Sequence, residues 1–149
     1  MAEYERTITI NATRKQVEDF VSDFSNLPKY VPTMRSAQPQ QGDRIHIQGE
    51  TPTGQYDADG YFRVNESKSR LEWGSDGENH YSGWLEFKGS NTDAPSEVTV
   101  HLSATPPPQA QQEMSKVSGS PDATINEGLE KSLQSIKNLL EGQGGKVEY

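Results

Sequence analysis

The chain has 149 residues, a formal net charge of −8, 30% hydrophobic residues and no cysteine. A chain of about 150 residues buries roughly 68–70% of its extended surface, so one domain over residues 1–149, holding a sheet and a packed helix, is the expected organisation. The charge argues against partners bound mainly through phosphates, nucleic acid and anionic membranes alike; no apolar run nears the roughly 20 residues that span a bilayer, and disulfide or thiolate chemistry is excluded.

The opening YERTITI alternates, with Ile8 and Ile10 on one face and Thr7 and Thr9 on the other, as a half-buried strand does. MAEYERT lacks the basic and apolar regions of a signal peptide, so cytoplasm without stable membrane insertion is the expected setting. Thr13 stands three residues before Gln16, a capping box, and Val17, Phe20 and Val21 form one helical stripe. Phe24, Leu27 and Tyr30 recur at intervals of three, and Pro28 and Pro32 keep a second helix short. Two short helices near the N-terminus are predicted.

Beyond Pro32 the pattern predicts an antiparallel meander. Ile45 and Ile47 oppose Arg44, His46 and Gln48 after a turn at Gln41-Gly42-Asp43. In the next strand Tyr56, Ala58, Gly60, Phe62 and Val64 share one face, with Gly60 marking a bend or bulge, and Asp57, Asp59, Tyr61 and Arg63 share the other. A polar turn over 65–69 precedes a short strand around Leu71 and Trp73. Tyr81 to Phe87 alternates again, and Val98, Val100 and Leu102 define a last strand. The spacings leave no room for crossover helices.

Thr105 to Pro121 reads as a connector between strand and helix, with Ala110, Met114 and Val117 as an apolar stripe that suits a lid or flank over a cleft. The final helix is capped by Ser120 or Asp122, carries Pro121 in its first turn, and buries Ile125, Leu129, Leu133, Ile136 and Leu140. Gly142 ends it, and Gly144-Gly145 predicts a loose tail.

The strand YERTITI, the run VEDFVSDFSNLPKYVP, the glycine-aromatic strands DADGYFRV and YSGWLEFKG, and the ending SPDATINEGLEKSLQSIKNLLEG together resemble the START-like, or Bet v 1-like (SRPBCC), superfamily. Within it they are similar to the polyketide cyclase/dehydrase and lipid-transport branch. The resemblance implies an α+β helix-grip fold: a curved antiparallel sheet wrapped around a long C-terminal helix, with two short helices closing one end and a cavity between sheet and helix. The many Gln, Ser, Asn and Asp residues fit a smaller or more polar cavity than that of relatives holding extended apolar ligands.

The candidate ligand-binding residues are Tyr56, Phe62, Trp73, Tyr81, Phe87, Met114 and Leu133. Aromatic bodies give apolar walls, and Tyr or Trp polar atoms orient a ligand. His46 and His101 lie in phase with the solvent face, and His80 belongs to a turn at a rim; no metal-binding or hydrolase motif accompanies them. Asp57, Asp59 and Glu72 form either a solvated sheet surface, balanced by Arg63 and Arg70, or an acid/base cluster. Tyr61 and Trp84 have the opposite phase and suit an exposed patch. The leading expectation is binding of a small amphipathic or aromatic molecule between sheet and terminal helix, with no metal or redox cofactor required. The alternatives are a polyketide cyclase/dehydrase-like enzyme and a protein-interaction or stress-associated module without a small-molecule ligand.

Overall fold

The computed structural model describes residues 2–75 and 81–149. Its elements are β1 (Ala2–Ile10), α1 (Arg14–Val21), a 3-10 turn (Phe24–Asn26), α2 (Leu27–Tyr30), β2 (Met34–Pro39), β3 (Arg44–Thr51), β4 (Gly54–Asn65), a second 3-10 turn (Glu66–Lys68), β5 (Arg70–Ser75), β6 (Tyr81–Lys88), β7 (Ser96–Ala104), α3 (Pro108–Ser118) and α4 (Pro121–Glu141). The strands form one curved antiparallel sheet of seven in the order β1-β7-β6-β5-β4-β3-β2, with α4 against its inner face. This is the helix-grip architecture.

β1 and β2 lie at opposite edges, so the chain between them must cross the molecule. α1 and α2 make that crossing. The Gln16 amide donates to Thr13 Oγ1 at 3.1 Å and the Thr13 amide to Gln16 Oε1 at 2.8 Å, the capping box that the sequence predicts. Val17 and Val21 are buried, and the buried Tyr30 hydroxyl donates to the Val21 carbonyl at 3.0 Å, tying α2 under α1.

Three expectations need correction. First, β2 has no counterpart in the sequence reading, because MRSAQP shows no apolar alternation; as an edge strand it pairs on one side and tolerates Pro39. The bulge considered at Gly60 is absent from both ladders of β4, and the register shift lies instead between Met34 and Ser36. A Cβ at Gly60 would sit 2.1 Å from the Gly74 carbonyl oxygen, so close backbone approach is what requires glycine there.

Second, the connector from Thr105 to Pro121 contains a helix of 11 residues, α3. Its Gln, Ala, Glu, Met and Lys residues are good helix formers, entered through Pro107 and Pro108 and stopped by Gly119 at φ 92°. The Thr124 hydroxyl bonds the Met114 carbonyl and the Ser118 hydroxyl bonds Glu127, so α3 is fixed to the start of α4.

Third, the tail beyond Gly145 is packed. The Val147 amide donates to Ser135 Oγ at 2.8 Å, Lys146 Nζ to the Met34 carbonyl at 3.0 Å, and the Tyr149 hydroxyl to the Thr124 carbonyl at 2.6 Å. Gly128 makes room for the Tyr149 ring; a Cβ there would lie 2.3 Å from its hydroxyl. α4 itself is capped by Ser120, whose Oγ accepts from the Ala123 amide at 3.0 Å, and Ile125, Leu129, Leu133 and Ile136 are buried as expected, whereas Leu140 near its end is only half-buried.

Candidate functional site

Burial of the sheet's inner face changes from one end to the other. Near α1 the inward residues are closed over: Phe87 and Val98 in one row, then Leu71, Leu85 and Val100 in the next, are all buried. One row further, Phe62 pairs with Trp73, Trp73 with Gly83, and Gly83 with Leu102. In that row Phe62, Trp73 and Leu102 are only half-buried, although each packs on the core. Tyr81, Tyr56 and Ala58 continue the half-buried strip toward the far end, where Met114 of α3 meets the same cluster. This end of the inner face is therefore less completely covered than the end near α1.

Two glycines shape this strip. Tyr56 pairs with Gly49 and Trp73 with Gly83, and a Cβ on either glycine would meet the partner's ring, at 2.3 Å for Tyr56 and 2.9 Å for Trp73. Both rings therefore lie across the neighbouring strand instead of rising toward α4. They pave this part of the sheet.

The polar atoms on this floor differ. Tyr56 is tied down, its hydroxyl 3.0 Å from Thr33 Oγ1. Among the described residues, Trp73 Nε1 and the Tyr81 hydroxyl have no protein hydrogen-bond partner, and neither is sealed from solvent. Burial, with a smaller contribution from Tyr56, pushes the Tyr81 phenol up and keeps it a neutral donor. One indole N–H and one phenol are thus free to meet a polar group. An open depression of about 400 Å³ adjoins Tyr56 at the β2–β4 end, bordered by Arg35, Gln48, Gly49, Glu50, Gln55 and Asp57, most of which have the outward phase of their strands.

Of the candidate residues, Tyr56, Phe62, Trp73, Tyr81 and Met114 fall in the half-buried strip, while Phe87 and Leu133 sit in the closed end at 0% and 2% exposure. Ala58, Leu102 and Thr33 join the strip without having been singled out. The first two share the inward phase of Tyr56 and Val100 and were readable; Thr33 follows Pro32 in a stretch with no period.

The other titratable candidates occupy the outer face. His46 lies between Asp59, 2.7 Å from Nδ1, and Asp57, 3.1 Å from Nε2. The Asp59 contact is the main cause that raises its pKa, with Asp57 adding to it and desolvation opposing it. The carboxylates bond opposite edges of the ring, so they do not converge on one point; among the described residues no group of three or more His, Cys, Asp or Glu does. Glu72 stands apart from that pair, held by Arg63 at 3.3 Å and Asn65 at 3.2 Å. His101 stacks on Trp84 at 5.0 Å and bonds Glu5 at 3.0 Å. Arg70 lies 4.0 Å over Trp84, and Arg63 lies 4.7 Å over Tyr61, so each aromatic of the supposed patch is covered by a guanidinium. His80 lies outside the described residues.

A family model described as polyketide cyclase / dehydrase and lipid transport matches residues 1–141. No curated protein matches the chain. Among solved structures, a Thermus thermophilus protein superposes with a TM-score of 0.75 at 15% identity, covering 95% of this chain and 98% of that one. A Deinococcus radiodurans protein gives 0.68 at 20% identity, with 95% and 99% covered. The di-domain ARO/CYC StfQ from the steffimycin biosynthetic pathway gives 0.72 at 16% identity, with 93% of this chain and 45% of that one covered. At such identities these likenesses establish the shared fold. Among the described residues no helix is long and apolar enough to cross a membrane.

Proposed function

We propose, for a chain that belongs to the polyketide cyclase / dehydrase and lipid transport family, that it binds a small amphipathic or aromatic organic molecule between the inner face of β4–β7 and the helices α3 and α4. The observation that carries this reading is the inward strip Tyr56, Phe62, Trp73, Tyr81, Leu102 and Met114, apolar and half-buried beside a fully buried core. Its rings supply flat apolar contact, and Trp73 Nε1 and the Tyr81 hydroxyl fix the orientation of a polar substituent. Phe87 and Leu133 form the closed end on which the ligand abuts. Binding without turnover is favoured over cyclase or dehydrase chemistry because the described histidines, His46 and His101, lie on the opposite face of the sheet with their carboxylate partners.

Titration with the neutral fluorophore N-phenyl-1-naphthylamine tests the cleft. Saturable binding is expected in the wild type and in the outer-face variant Trp84→Ala, and loss of binding in Leu102→Trp, which fills the strip from within a row that keeps its register. Equal binding by Leu102→Trp, or none by the wild type, would remove the cleft from consideration.

A further inference from the structure

Outside the closed end of the sheet, an open depression of about 320 Å³ lies between the start of α1, the turn before β5 and the end of β6. Three cations border it, Arg14, Lys68 and Lys88, together with Ser67, Ser69 and one carboxylate, Glu86. Glu86 is already occupied, with Arg70 at 3.0 Å and Lys88 at 3.3 Å from its oxygens. Burial pushes its carboxyl up, but these two contacts outweigh burial and hold its pKa below the ordinary value. Arg14 has Glu18 at 3.4 Å, through a carboxylate oxygen that makes no hydrogen bond. Glu66 shares the turn of Lys68 but does not border the depression. Counting the paired groups, four cations meet two carboxylates here, in a chain whose net charge is −8.

The donors at this spot are held in place by neutral partners. Ser69 takes the left-handed φ of 52°, uncommon for a residue other than glycine. Its amide donates to the Glu66 carbonyl at 3.2 Å, and its carbonyl accepts from the Phe87 amide at 3.1 Å. Its hydroxyl accepts two bonds from Arg14, from Nη2 at 2.8 Å and Nε at 3.3 Å. A hydroxyl has two lone pairs and one proton, so the proton of Ser69 is left over, and among the described residues no acceptor takes it. Arg14 Nη1 donates to Asn91 Oδ1 at 3.0 Å, so the guanidinium is fixed and contributes charge without offering its fork. Lys68 is exposed and meets no carboxylate among the described residues.

We propose that this depression binds the phosphate of a soluble phosphate monoester, with Lys68 and Lys88 on its oxygens, the Ser69 hydroxyl donating to one of them and Arg14 adding charge. The surplus of positive charge matches a dianion better than a monoanion. Ammonium groups are point charges that meet a tetrahedral oxyanion from several directions, whereas the planar fork that suits a carboxylate is closed on Ser69. The overall charge of −8 opposes approach to an anionic bilayer, which favours a soluble ester over a lipid headgroup. The site shares no residue with the aromatic strip, and it stands or falls independently of the ligand bound there.

Amide-resolved NMR titration with methyl phosphate at about pH 8, where the ester is a dianion, tests it at constant ionic strength. Acetate is the monoanion control, and phosphatidylcholine vesicles containing phosphatidic acid are the lipid control. The wild type should show saturable shifts at the amides of Lys68, Ser69 and Gly89 with a Kd of about 1 mM, and weaker binding of acetate by about fivefold or more. Lys68→Gln should weaken methyl phosphate about fivefold. Lys88→Gln should weaken it at least as much, since it also uncovers Glu86. Lys116→Gln, which removes the same charge from α3, should leave the affinity within about twofold of wild type. Spectra unchanged away from the substituted turn or strand end show that each variant is folded. Shifts that grow linearly without saturation, equal affinity for acetate, or equal losses in Lys116→Gln and Lys68→Gln would overturn the site. Binding to the vesicles without binding to methyl phosphate would overturn the soluble ester as its ligand.

Discussion

His46 is held on one ring nitrogen by Asp59 and on the other by Asp57, and both contacts favour the protonated ring. The folded protein therefore binds this proton more tightly than the unfolded chain, whose histidine titrates near the ordinary 6.5. Stabilisation from the ring is complete below that value and disappears as the pH rises through the higher folded value. Asp59 shifts the other way, below its ordinary 3.8, chiefly through His46, so its share is present above that value and lost as the pH falls through the folded one. Thermal melts of wild type and His46→Gln should accordingly differ most near about pH 5.5 and converge by about pH 9. A difference that does not change with pH would show that the ring acts by packing alone. At this same scale the inward phase of the aromatics was legible: strict alternation puts Tyr56, Phe62, Trp73 and Tyr81 inward, and the structure keeps that phase. Arg35 and Thr33 were not, because a register shift and a proline break remove the period from which a side chain's direction is inferred.

Among the elements, α3 shows how a stop residue gives shape to a stretch of weak pattern. Gly119 adopts φ 92° with nothing near its Cβ position, so a substitution there is opposed by backbone conformation and not by crowding. Gly119→Ala should cost about 1–2 kcal/mol in urea unfolding, the penalty of an L-residue forced left-handed. A loss well under that range would mean that the α3–α4 corner yields easily. The strands from β3 to β7, α1 with its capping box, and α4 were readable because each carries a strict period of apolar residues or a paired start signal. β2 and α3 carry neither in full: β2 is an edge strand stabilised by one neighbour, and the stripe of α3 is half-buried against the helix that follows it.

Across the whole molecule the gradient of burial from α1 to α3 makes like residues unequal. Phe87 and Phe62 both face inward, but Phe87 is fully buried with Arg14 5.5 Å over its ring, whereas Phe62 is half-buried. Phe87→Ala should cost about 3–5 kcal/mol, and Phe62→Ala about half as much or less, since the half-exposed ring has less surface to lose and leaves no sealed cavity. Urea midpoints at constant slope measure both; equal losses would mean that the strip is as tightly packed as the closed end. The sequence by itself determined an antiparallel meander followed by a terminal helix, the phase of nearly every strand and most of the buried face of α4, because these follow from periods of two and about 3.6 residues that any local window contains, while the helix-grip class came from the resemblance of its motifs to a family. Tertiary structure alone decided which inward residues stay half-buried, that the tail returns to β2 and α4, and that Arg35 and Lys146 meet on Glu148. Those outcomes depend on the curvature of the sheet and on contacts between residues more than a hundred positions apart, and no local pattern encodes them.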